Sequence, residues 1–117
     1  MIKIYESNIQ VESKESLING LRAVKDIISR LDADDLRKIL KIFENIIREF
    51  GNAQQNEKFD KLVKVVKYEA IDIMAIISVV SQLLPIITKI IENIDEEDIA
   101  EIKNMFKKSK VSQLVIN

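Results

Sequence analysis

The stretch FDKLVKVVKYEAIDIMAIISVVSQLLPIITKIIENI (59–94) decides the fold, because the rest of the chain must pack against whatever it forms. Phe59, Leu62, Val66, Ala70, Ile73, Ile77, Val80, Leu84, Ile87, Ile91 and Ile94 recur at spacings of three and four. That spacing marks a helix with an unbroken apolar face. The pattern predicts one helix over 56–94, about 58 Å long at 1.5 Å per residue. Pro85 interrupts it. Proline has no N–H to donate to the carbonyl four residues back and its ring crowds that turn, at a cost of about 3 kcal/mol. A kink or short break is therefore expected near 81–85.

Within this stretch, IMAIISVVSQLLPIIT (73–88) carries no charged residue. A bilayer-spanning helix needs about 20 apolar residues, and this run is shorter, holds Ser78, Ser81, Gln82 and Pro85, and lies between Asp72 and Lys89. Membrane contact without spanning is one reading of it. The run also carries two apolar stripes, Ile73, Ile77, Val80, Leu84 and Ile87, and Ile76, Val79, Leu83, Ile86 and Ile90. A helix apolar on two sides has to be covered on two sides. Few short helices remain to do so, and a bare patch of that size is a liability for a monomer. The expectation is self-association, a dimer first of all, through Ile73, Ile76, Ile77, Val79, Val80, Leu83, Leu84 and Ile87.

Outward from the stretch, Leu17, Leu21, Val24, Ile28 and Leu31 give a helix over 14–31. Leu36, Ile39, Leu40, Phe43, Ile46, Ile47 and Phe50 give one over 33–50, stopped by Gly51 in the position that usually turns left-handed past a helix end. GNAQQNE (51–57) reads as a linker. On the far side, Ile99, Ile102, Met105 and Phe106 line a helix over 96–108. Ile2, Ile4, Ile9 and Val11 alternate weakly, which predicts a short strand or extended arm over 1–12, and QLVIN at the end is similarly β-prone. The predicted architecture is a single all-α domain over 1–117, a four- or five-helix antiparallel bundle with a long, Pro-kinked third helix and a short extended N-terminal arm.

One phrase occurs twice. LDADDLRKILKIF (31–43) and IDEEDIAEIKNMF (94–106) align Leu31 with Ile94, Asp32 with Asp95, Asp35 with Asp98, Ile39 with Ile102 and Phe43 with Phe106. The match extends backwards through Ile27 and Ile28 against Ile90 and Ile91, to Leu21 against Leu84. Asp32 and Asp95 fit as N-caps for the helices that follow, with Asp35 and Asp98 three residues on, near the positive end of the helix dipole. A divalent-ion site at Asp95, Glu96, Glu97 and Asp98 is the sharper reading, but calcium loops need a bending Gly that neither copy has. Capping is the expected role.

Composition narrows function. A chain of 117 residues that is 47% hydrophobic and 32% charged can bury a core as one domain. It holds no Cys and no His, which removes thiol nucleophiles, disulfides, the commonest general base and the commonest transition-metal ligands. No phosphate-binding Gly loop or nucleophile–base pair is present, so no enzyme, cofactor or metal role is expected. MIKIYESNIQ has no long apolar core, so a cytoplasmic location is the expectation. Ile-rich, Lys- and Asn-rich usage suits an AT-rich genome, and a viral or plasmid origin.

Lys58, Lys61, Lys64 and Lys67 recur every third residue, and Lys103, Lys107, Lys108 and Lys110 form a second set. Both offer contacts to phosphate. Glu57, Asp60 and Glu69 dilute the first set, the net charge is −1, and aromatic residues are too few to stack bases. The expected function is a non-enzymatic helical interaction or assembly module. A peripheral membrane or immunity-type protein using 73–88, and a nucleic-acid accessory using the lysines, are the rivals.

Overall fold

Helices form where the apolar spacing places them, except inside the stretch that mattered most. A computed structural model describes residues 8–9, 14–68, 72–109 and 115–116. Among these the fold is all-α, with five helices. They are α1 (Lys14–Ile27), continued by a 3-10 turn (Ile28–Arg30), α2 (Ala33–Phe50), α3 (Ala53–Tyr68), α4 (Ile73–Asn93) and α5 (Glu96–Ser109). Two-residue segments, β1 (Asn8–Ile9) and β2 (Val115–Ile116), pair in parallel. The rest of the expected 1–12 arm lies outside the described residues.

The helix expected over 56–94 is two helices, and the break is not at Pro85. It falls before α4, where Asp72 adopts an extended backbone (φ −111, ψ 120) and its carboxylate accepts from the Met74 N–H at 2.9 Å. The α3 helix then packs against α4, which two segments of one straight rod cannot do. A 58 Å rod would also overrun the longest extent of the molecule, 37 Å. Pro85 sits inside α4 on its exposed side, as does Ser81 four residues before it. The hydrogen bond that Pro85 cannot make therefore leaves its carbonyl on the wet side of the helix, where water replaces the missing donor.

The linker GNAQQNE contains a helix start. Asn52 and Gln55 form a reciprocal capping box: the Gln55 N–H donates to Asn52 Oδ1 at 2.8 Å, and the Asn52 N–H to Gln55 Oε1 at 2.9 Å. This starts α3 at Ala53, three residues earlier than the apolar spacing indicates. Gly51 does not turn left-handed. It is extended (φ −83, ψ 158), and its N–H bonds to the Ile47 carbonyl at 2.9 Å. A Cβ there would come within 2.5 Å of that carbonyl, so close approach is what requires glycine. Arg48 clasps the α2–α3 turn, donating to Asn56 Oδ1 at 2.7 Å and Asp60 Oδ1 at 2.6 Å while lying over the Phe59 ring at 5.0 Å.

The core forms around α2 and α4, which pack on each other; α1 and α3 also cover α4, and α5 lies against α2 and α1. The repeated phrase now has a structural meaning. Aligned positions are buried in both copies: Leu21 and Leu84, Val24 and Ile87, Ile28 and Ile91, Leu31 and Ile94, Leu36 and Ile99, Phe43 and Phe106. Leu17 and Val80 extend the register back another turn. At both corners the residue before the cap bonds to the carbonyl three residues back, Leu31 to Ile28 and Ile94 to Ile91, each at 3.4 Å. Burying each such aliphatic side chain contributes about 1.5–3 kcal/mol before conformational entropy is subtracted.

Candidate interaction surface

The expected self-association residues lie mostly in the core. Ile76 is 1% exposed and Val80, Leu83 and Ile87 are 0% exposed; Val79 and Leu84 are also buried. Ile77 is half-buried, and only Ile73, at 40%, is exposed. The face proposed as an interface is enclosed within one chain. The reason is the misplaced break: once α3 folds back, it supplies the second cover that a single long helix could not give itself.

What α4 leaves outside is a different face. Met74 (65% exposed), Ser78, Ser81, Gln82, Pro85 and Lys89 follow one another along its exposed side. Up to Pro85 this ridge carries no charge. Gln82 Nε2 donates back to Ser78 Oγ at 3.1 Å, so part of its polarity is satisfied along the helix. A groove of about 330 Å³ runs beside it against α1, lined by Leu21, Arg22, Lys25, Ser81, Leu84, Pro85 and Thr88. A second groove, of about 360 Å³, lies on the other side against the start of α3, lined by Asn52, Gln54, Gln55, Lys58, Pro85, Ile86 and Lys89. Pro85 is the wall they share.

By length and composition α4 would suffice to cross a membrane, with a mean hydropathy of 2.0 and 39% of the span buried. Its most apolar side faces the other helices, the arrangement of a core helix. Of the lysine set on α3, Lys58, Lys61 and Lys64 are exposed. Lys61 pairs with Glu57 at 3.2 Å and Lys58 lines the second groove, so the set is not one open patch. The Lys67 side chain lies outside the described residues, as does Lys110.

The capping aspartates divide. Asp32 caps α2 with its side chain, Oδ1 accepting from the Asp35 N–H at 2.8 Å, and Asp35 is itself buried. Asp95 holds the same place before α5, but there the Asp98 N–H reaches the Asp95 carbonyl, at 3.0 Å, and not its carboxylate. Among the described residues, no group of three or more His, Cys, Asp or Glu is placed to hold a metal ion. Glu101 on α5 hydrogen-bonds Glu49 on α2. That bond, with the neighbouring negative charge adding to it, raises the Glu101 carboxyl above its ordinary 4.5. No protein-family model, curated protein or solved structure matches this chain.

Proposed function

We propose that the chain is a non-enzymatic, cytoplasmic helical module that self-associates, and that it does so through the outward ridge of α4 in place of the core face. The supporting observation is a contrast between the two copies of the repeat. On the outward side of α1, the positions aligned with Ser78, Gln82 and Pro85 hold Glu15, Asn19 and Arg22. A helix face turned permanently to water has no reason to lose its charges, whereas the centre of a protein interface is depleted of them. Grooves on both sides of Pro85 give the ridge the relief into which a partner can fit.

The finer architecture belongs to the same reading. Lys14, at the start of α1, bonds to the Glu92 carbonyl near the end of α4, while Lys25, near the end of α1, shares a groove with Ser81. Those contacts support an antiparallel arrangement of α1 and α4, and the crowding of the preceding turn by a proline ring supports a bend of α4 at Pro85.

Light scattering across micromolar to millimolar concentration tests the function. The mass is expected to rise above that of one chain with concentration. Ser81→Glu, on an exposed site, should return the protein to a monomer without lowering its melting temperature. A constant monomer mass at every concentration refutes self-association. Binding to anionic liposomes by such a monomer would favour the membrane reading instead.

A further inference from the structure

The two grooves beside Pro85 share one sign of charge. Arg22 and Lys25 line the first, Lys58 and Lys89 the second, and no carboxylate is among the residues lining either. None of these four cations is ion-paired among the described residues. Two copies meeting ridge to ridge would set cation against cation around an uncharged floor, and like charges opposed across an interface repel. The occupant of this surface must bring negative charge.

The chain carries the complement. Glu96, Glu97 and Glu101 lie on the exposed side of the first half of α5, ahead of the exposed Lys107 and Lys108, with Glu49 of α2 beside Glu101. Among the described residues none of these carboxylates is salt-bridged, although Glu96 Oε1 accepts from the Lys14 N–H at 3.5 Å, and Glu49 and Glu101 lie close enough for the charge of one to act on the other. Two carboxylates held together repel, and an incoming ammonium or guanidinium relieves that repulsion.

Resting on the self-association proposed above, we infer that the partner on the Pro85 ridge is the acidic face of α5 from a second copy, so that the chains join head to tail. Joined in this one direction, without the reverse contact that would close a two-fold dimer, the interface is heterologous. It leaves one free ridge and one free acidic face on every dimer, so assembly continues to a ring or an open filament and does not stop at two. Charge governs it, so added salt weakens it.

Two double reversals test the pairing: Arg22→Glu with Lys25→Glu, and Glu97→Lys with Glu101→Lys. All four sites are exposed, so each variant should melt close to the parent; if the first fails to fold, Lys58→Glu with Lys89→Glu replaces it. Each variant alone should associate at least about tenfold more weakly than the parent in low salt, and mixing the two should restore heavy species, because each then meets its opposite. The parent's mass should keep growing past the dimer and fall as salt is raised. If both variants assemble as the parent does, or if the mixture is no heavier than its parts, head-to-tail pairing is overturned while self-association stands. A parent that stays monomeric in low salt overturns self-association itself.

Discussion

The corner between α1 and α2 and the corner between α4 and α5 are built alike inside and differently outside. Leu21, Ile28, Leu31, Leu36 and Phe43 on the first match Leu84, Ile91, Ile94, Ile99 and Phe106 on the second, all buried. Both corners turn on an aspartate just before the second helix. Outwardly α1 presents Glu15, Arg22, Lys25 and Asp26, where α4 presents Ser78, Pro85, Thr88 and Lys89. The core requirement is met twice by the same spacing of apolar residues, so it does not distinguish the corners. What distinguishes them is the solvent side, where α1 carries charge along its length and α4 carries none before Lys89. That difference points to α4 as the helix with an outward task.

Substitutions at matched positions sharpen or break this comparison. The largest effect is expected for the paired phenylalanines. Phe43→Ala should cost about 3–5 kcal/mol, and Phe106→Ala, at a site slightly more exposed, should fall at or below the lower end of that range. Urea melts followed by circular dichroism measure both, and a near-neutral Phe106→Ala would show that the second corner is not packed like the first.

The caps come next. Asp32→Ala should cost about 1 kcal/mol, because it strips the side-chain acceptor from the Asp35 N–H. Asp95→Ala should cost clearly less, since there the backbone carbonyl already accepts from the Asp98 N–H. Equal losses in the same melts would mean that both carboxylates cap in solution.

The smallest effect is a pH dependence confined to the second corner. Glu101 keeps its proton to a higher pH in the folded chain than in the unfolded one, so over that window the folded state binds more protons. Stability should therefore decline as pH rises from 4.5 through the raised carboxyl value. Glu49→Gln should flatten this slope, and an unchanged slope would place its origin elsewhere.

Much of the interior was legible in the sequence. The α2 helix, from its cap at Asp32 to its stop at Gly51, and the inward residues of α1 and α5 followed from spacing and from the chemistry of helix ends. The boundary between α3 and α4 did not. Apolar residues keep their three-and-four spacing straight across it, from Phe59 to Ile94, so periodicity has no phase slip to report there. The local signals at that boundary and at the start of α3 were the caps themselves, Asp72 ahead of the uncharged run and Asn52 with Gln55 in a stretch that resembles a linker. Pro85 drew the break to itself because proline usually ends helices, but a proline on the exposed side of a helix has water at hand for the carbonyl it leaves unbonded. Placing that break wrongly removed α3 from the cover of α4 and turned a core face into an apparent interface. The ridge around Pro85 was harder to read still. It depends on which side of α4 is left over, and only tertiary packing decides that.

Neighbouring residues on opposite sides of α4 give the most direct test. Val80 is fully buried and Ser81 is exposed. Far-ultraviolet circular dichroism of Val80→Asp and Ser81→Arg, each at a few micromolar, compares them under one condition. A buried unpaired carboxylate should destabilise the chain by more than about 4 kcal/mol. Val80→Asp should therefore lose most of its helical signal while Ser81→Arg keeps the parent spectrum. A Val80→Asp protein that stays fully helical would contradict the account, because that side of α4 could not then be the core of a single chain.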